Sequence, residues 1–157
     1  MKTVQTTLLL VIKDGQILLA RKKRGFGVGK YNGAGGKLEP GETVEQAMLR
    51  ETREEIGITP TAYRQVGVVN FDQYIKGEPT MITTHIYTAS AYQGTPRESE
   101  EMRPEWFALD QIPYAEMYPT DQKWLPIVLA GQNFFDATYR FDPDGQLIDH
   151  QIHLSPL

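Results

Sequence analysis

The strongest constraint on this chain is a short helix whose apolar stripe runs on into acids, directly after a glycine-rich loop. Residues 35 to 58 read Gly-Gly-Lys-Leu-Glu-Pro-Gly-Glu-Thr-Val-Glu-Gln-Ala-Met-Leu-Arg-Glu-Thr-Arg-Glu-Glu-Ile-Gly-Ile. Thr43 is a capping residue, Gln46 completes a capping box, and Gly57 supplies the flexible residue that follows a helix end. The spacing therefore predicts a helix over Val44 to Ile56. At about 100° per residue, Val44, Ala47 and Met48 form a narrow apolar stripe, and Glu51 and Glu55 lie almost on its axis, about 40° apart. Two acids extend the inward side.

Glu54 is the i+3 neighbour of Glu51, so three carboxylates crowd one turn and repel. Arg50 and Arg53 offset part of that charge from the flanks. A carboxylate among apolar neighbours still needs a close partner or a proton. A hard divalent cation that prefers oxygen ligands meets the need. In a generic Glu-rich turn, solvation or salt bridges are the ordinary outcome. Here Gly33, Gly35, Gly36 and Gly41 stand just upstream, where a bare backbone can approach a phosphate or offer a carbonyl to a metal.

Gly36, Glu42 and the run Arg50-Glu51-Thr52-Arg53-Glu54-Glu55-Ile56-Gly57-Ile58 resemble the Nudix box, G-x5-E-x7-R-E-U-x-E-E-x-G-U, with U a bulky aliphatic. Every charged and glycine position matches, which makes the motif highly specific. Thr52 departs at the first U position. The resemblance extends toward the MutT-like hydrolases of oxidised purine nucleoside triphosphates through Lys22-Lys23-Arg24-Gly25-Phe26-Gly27, Tyr31-Asn32-Gly33, Gly94-Thr95-Pro96 and Glu101-Met102-Arg103-Pro104. It weakens from about residue 132 onward.

Length and order agree with one domain over residues 1–157, since the chain is 40% hydrophobic and long enough for a single core. A formal net charge of −4 with both signs interspersed gives no basic field for a nucleic-acid polymer. The absence of cysteine excludes a disulfide framework and thiolate metal sites. Leu8 to Ile12 is too short for a membrane span and reads as a strand. The expectation is a cytoplasmic monomer acting on a small nucleotide, without a membrane partner. Asp14-Gly15 signals a hairpin between Thr7–Lys13 and Gln16–Arg21. Strands are expected near Arg64–Phe71, Thr80–Tyr92 and Glu105–Ala108, a second helix from Pro119 or Thr120 to before Gly131, and a closing hairpin through Tyr139–Phe141 and Gln146–Leu154. No regular βαβ repeat emerges, so the order predicts an α/β protein of α+β type. The resemblance implies the Nudix α/β/α sandwich, a mixed sheet between helices.

The resemblance also implies roles. Glu51, Glu54, Glu55, the Gly35 carbonyl and Glu101 would hold Mg²⁺, with Mn²⁺ as a substitute. Glu54 is the first choice for the base that takes a proton from the attacking water, and Glu51 and Glu101 are its rivals. Glu42 and Arg50 would brace the loop against the helix. Lys22 and Lys37 would lend positive charge to the triphosphate. Phe26, Phe71, Tyr118 and Trp124 are candidates to stack on a base, Asn32 and Asp121 to read its edge, and Thr7 and Leu8 to line the pocket floor. Mammalian members of that branch carry two aspartates after Trp-Pro; this chain reads Tyr118-Pro119-Thr120-Asp121, and Thr120 would narrow or shift base preference. Other Nudix substrates (ordinary triphosphates, dinucleoside polyphosphates, ADP-ribose) and a non-catalytic nucleotide sensor are the alternatives. His85, His150 and His153 lack metal-like spacing to the glutamates and read as structural or exposed.

Overall fold

A computed structural model describes residues 1–131 and 134–155. The chain forms β1 (Lys2–Lys13), β2 (Gln16–Lys22), β3 (Tyr31–Asn32), α1 (Val44–Ile56), β4 (Thr59–Ile75), β5 (Glu78–Gln93), β6 (Met102–Ala108), α2 (Asp121–Leu129), β7 (Phe135–Phe141) and β8 (Leu147–Leu154), with a 3-10 turn at Tyr114–Glu116. The sheet runs β2-β1-β5-β4-β7-β8, and β6 lies against β2. Pairs β1·β5 and β4·β7 are parallel and the other long pairings antiparallel. No described helix is long and apolar enough to cross a membrane.

The period-2 alternation of β1 divides the core between two layers. Leu8 and Leu10 face one cluster with Ile17, Ile86, Trp124, Leu125, Phe135 and Tyr139. Leu9 and Val11 face the other with Leu18, Met48, Ile56 and Ile58. α1 thus covers one face and α2 the opposite one, the layering expected of the sandwich.

β1 and β2 pair only over Val11–Lys13 and Gln16–Leu18 before they diverge. The glycine loop fills the gap: Tyr31 and Asn32 pair with Arg21 and Ala20 of β2, and the next residues pair with β1. Leu9 N–H donates to the Ala34 carbonyl at 2.8 Å, Thr7 N–H to Gly36 at 2.9 Å and Leu38 N–H to Gln5 at 3.1 Å. A side chain at Gly33 or Gly35 would collide with the β1 backbone at Leu9 or Thr7, so glycine is required by close approach.

Several elements are longer than the sequence suggests. β4 and β5 form one extended hairpin closed by Lys76 and Gly77, both at positive φ (52° and 77°), a two-residue turn whose twist suits a hairpin. The Asp14-Gly15 turn has the same character, at 54° and 74°. β7 begins at Phe135 rather than Tyr139, its inward positions being Phe135, Ala137 and Tyr139. α2 begins at Asp121, after Thr120.

Candidate active site

α1 starts as its caps dictate: Thr43 Oγ1 accepts from Gln46 N–H at 3.1 Å and Gln46 Oε1 accepts from Thr43 N–H at 2.9 Å, while Gly57 ends the helix at φ 75°. That fixes the rotation of the helix. Glu55 is 4% exposed among Ala47, Met48 and Ile56, and its Oε1 accepts the Gly35 N–H at 2.8 Å. The carbonyls on either side, at Ala34 and Gly36, accept from the β1 amides of Leu9 and Thr7, which leaves the Gly35 amide for the helix. A Cβ at Gly36 would stand 2.6 to 2.8 Å from the Glu51 carboxyl atoms. The loop and the two acids on the stripe axis therefore converge.

Burial pushes the Glu55 carboxyl up to about 7, against the Gly35 hydrogen bond that favours its charged form, and Glu51 and Glu101 add repulsion. Glu51 is raised by burial too, and Arg50 opposes this. Arg50 is the local counter-charge. Its Nε and Nη2 grip Glu42 at 2.6 and 2.9 Å, its Nη1 meets Glu51 at 2.9 Å and Glu54 at 3.2 Å, and its Nη2 reaches the Lys37 carbonyl at 3.1 Å. Hydrogen bonds from Arg50 and the Glu39 N–H hold the Glu42 carboxyl down at about 2, and Glu42 in turn raises Arg50. The expected brace between loop and helix is present. It extends to Glu51 and Glu54, which the sequence did not show.

These groups line a cleft of about 630 Å³ with Lys22, Arg24, Lys37, Glu39, Ser99, Glu100 and Glu101. Lys22 Nζ lies 3.6 Å from Glu101. Lys23 is tied to Glu98 and Ser99, and Arg24 to Glu100 and Glu101. Lys37 is exposed at the cleft. The cluster of carboxylates and its excess negative charge fit a hard divalent ion, and Nudix hydrolases generally need a divalent metal. Among the described residues no three acids stand close enough to hold an ion unaided. An ion held there would need further oxygen ligands from outside these acids.

The base-side candidates form a second group around the start of α2. Asp121 is 4% exposed and its Oδ2 accepts the Tyr118 N–H at 3.1 Å. Burial pushes its carboxyl up to about 7, opposed by Tyr118 N–H, by the nearby Trp124 indole and by Lys30. The indole N–H is buried without a partner in hydrogen-bond geometry, and so is the Tyr139 hydroxyl. Burial and the Asp121 charge raise Tyr139 to about 12. Trp124 stacks on Phe135 and Phe71 on Tyr139. Thr120 is buried and makes no side-chain cap. Phe26 extends into solvent yet stacks on Tyr118 at 6.2 Å.

Asn32 lies on β3, one residue before Gly33, whose N–H its Oδ1 accepts at 2.9 Å. Leu8 shares the α2 face, whereas alternation turns the Thr7 side chain to the α1 face. Thr7 contributes to the site through the backbone that templates Gly35 and Gly36. Tyr139 was not foreseen, although the inward alternation Phe135, Ala137, Tyr139 carries one polar atom among apolar ones and could have marked it. His85 bonds Gln65 and Gln5, away from the acids.

The NUDIX domain profile matches residues 1–128. The chain is 46% identical over 146 residues to the oxidized purine nucleoside triphosphate hydrolase of Mus musculus and 42% identical over 146 residues to that of Danio rerio, each match covering 93% of this chain and 92% of the relative. A mutator MutT protein from Bacillus halodurans superposes with a TM-score of 0.84 at 25% identity, covering 98% of this chain and 99% of that one. With the box acids drawn onto the glycine loop and the family profile spanning most of its length, the chain belongs to the Nudix hydrolase family.

Proposed function

We propose that this protein hydrolyses oxidised purine nucleoside triphosphates, such as 8-oxo-dGTP or 2-hydroxy-dATP, to the nucleoside monophosphate and pyrophosphate, using Mg²⁺ or Mn²⁺ in the cytoplasmic nucleotide pool. The observation that carries the chemistry is the approach of Gly35 and Gly36 to Glu55 and Glu51 in a cleft that Lys22 and Lys37 border. The named activity of the mouse and zebrafish relatives supports the substrate class.

Glu51, Glu55, the Gly35 carbonyl and Glu101 would hold the ion, with Glu54 beside them. The ion supplies charge neutralisation on the phosphates and a more acidic water. Lys22 and Lys37 hold the polyphosphate against the loop. Glu54 is the first choice for the base because it is the most exposed of the three clustered acids, at 59% of its side chain against 18% for Glu51, with Glu55 buried, and can pass a proton on to solvent. Arg50 positions Glu51 and Glu54 from one guanidinium. Phe26 and Tyr118 would enclose the base, with Phe71 and Trp124 behind, and Asn32 and Asp121 would read its edge. Thr120 leaves a single acid there.

A screen of canonical and oxidised nucleotides for pyrophosphate release, with and without magnesium, tests the reading. Faster metal-dependent turnover of the oxidised purines supports it; preference for ADP-ribose or a dinucleoside polyphosphate refutes it.

A further inference from the structure

The two outer strands of the sheet are unlike. β6 carries Arg103-Pro104-Glu105, the charges and proline that blunt an edge against pairing. β8 has no lysine, arginine or proline, and no strand covers its outer side among the described residues. It does expose Ile148 and Leu154, at 59% and 52%.

The backbone phase of β8 is set by the Ser155 N–H, which donates inward to the Phe134 carbonyl at 2.8 Å. Alternation then turns the N–H and C=O of Leu154, Ile152 and His150 outward. The His150 N–H is met there only by its neighbour, the Asp149 Oδ1, at 2.9 Å. Those outward groups match a copy of themselves. An antiparallel pairing about a two-fold axis at Gln151 places Asp149 opposite His153 of a second copy and His150 opposite Ile152, and the bulge at Ile148 ends the regular pairing there. One face then pairs acid with imidazole twice, and the other sets Ile152 against the His150 ring twice. A one-residue shift of register would set Asp149 against Ile152 and lose this.

We propose that β8 is a self-association edge, at which two copies of this chain join their sheets antiparallel about Gln151. Asp149 leaves the His150 amide for His153 of the second copy, and Ile152 of that copy takes the amide. The contact is one strand edge of about 20–25 Å, well below a standard interface, so the dimer is weak and grows in with concentration. The acidic cleft takes no part, and the base-side group meets this edge only where Tyr139 stacks on His150, so the inference does not rest on the proposed activity.

Sedimentation equilibrium from roughly 10 μM to roughly 1 mM tests it, a span matched to weak association. The mass-average should climb toward twice the chain mass. Asp149→Lys, which faces His153 with a cation, should weaken association at least tenfold while leaving turnover unchanged; combining it with His153→Glu should restore it. A wild-type protein that stays monomeric throughout, or a single variant that associates like wild type, overturns the proposal. Failure of the double variant to recover does so as well, since the register requires this pair.

Discussion

Replacing Asp121 with asparagine should stabilise the protein by an amount that grows as pH rises through neutrality. The folded carboxyl sits at about 7 against 3.8 for the free group, so between those values the native state binds more protons than the unfolded chain. Stability from this group therefore falls as pH rises and is lowest above 7. At 1.36 kcal/mol per pH unit, the penalty grows from about 1.7 kcal/mol at pH 5 to about 4 kcal/mol at pH 8, a difference of about 2.5 kcal/mol. Asparagine has the same shape, keeps an oxygen for the Tyr118 N–H and carries no charge. Relative to wild type, the variant should gain about 2.5 kcal/mol between pH 5 and pH 8, a shift of roughly 1–2 M in the urea midpoint. Urea melts at both pH values, without metal or nucleotide, measure it; Glu55 titrates identically in both proteins and cancels. Parallel pH curves, or a variant that loses ground at pH 8, would refute the claim that desolvation governs this carboxyl.

Four further expectations follow from the geometry. Glu55→Gln should lower metal-dependent turnover by at least about 100-fold with an unchanged circular dichroism spectrum; retained activity would remove Glu55 from the metal set. Gly36→Ala pushes the Glu51 carboxyl aside and should weaken metal affinity in calorimetric titration while costing about 1–3 kcal/mol of stability. Thr52→Val replaces a fully buried hydroxyl that has no partner and should raise the melting temperature, with a gain of about 1 kcal/mol; a fall would mean the hydroxyl is satisfied after all. Thr120→Asp should change the ratio of 8-oxo-dGTP to 2-hydroxy-dATP turnover, and identical ratios would detach Thr120 from base preference.

What the sequence made legible was local. α1 lies over the expected residues because its signals, Thr43, Gln46 and Gly57, are adjacent in the chain, and the inward turn of Glu51 and Glu55 follows from helical period alone. The Asp14-Gly15 turn is of the same kind. β4 was foreseen only as its middle because Pro60 and the bulges between Pro60 and Tyr63 break the alternation that marks a strand, although the ladder continues through them. The insertion of residues 34–38 beside β1 depends on where β1 and β2 part, a property of sheet twist with no sequence-local mark. The split of Thr7 from Leu8 follows from strand period, once the covering helix of each face is known. Tyr139 comes to Asp121 from a distant strand, so neither residue announces the other.

The insertion of the glycine loop between two diverging strands also couples catalysis to integrity. Its carbonyls at Ala34 and Gly36 accept from β1 amides and its Leu38 amide donates to β1, a strand with β5 along its other edge, so the loop backbone beside Glu51 and Glu55 cannot loosen without breaking contacts in the middle of the sheet. Heat inactivation and global melting should then share one midpoint, leaving no warm, folded and idle state between them.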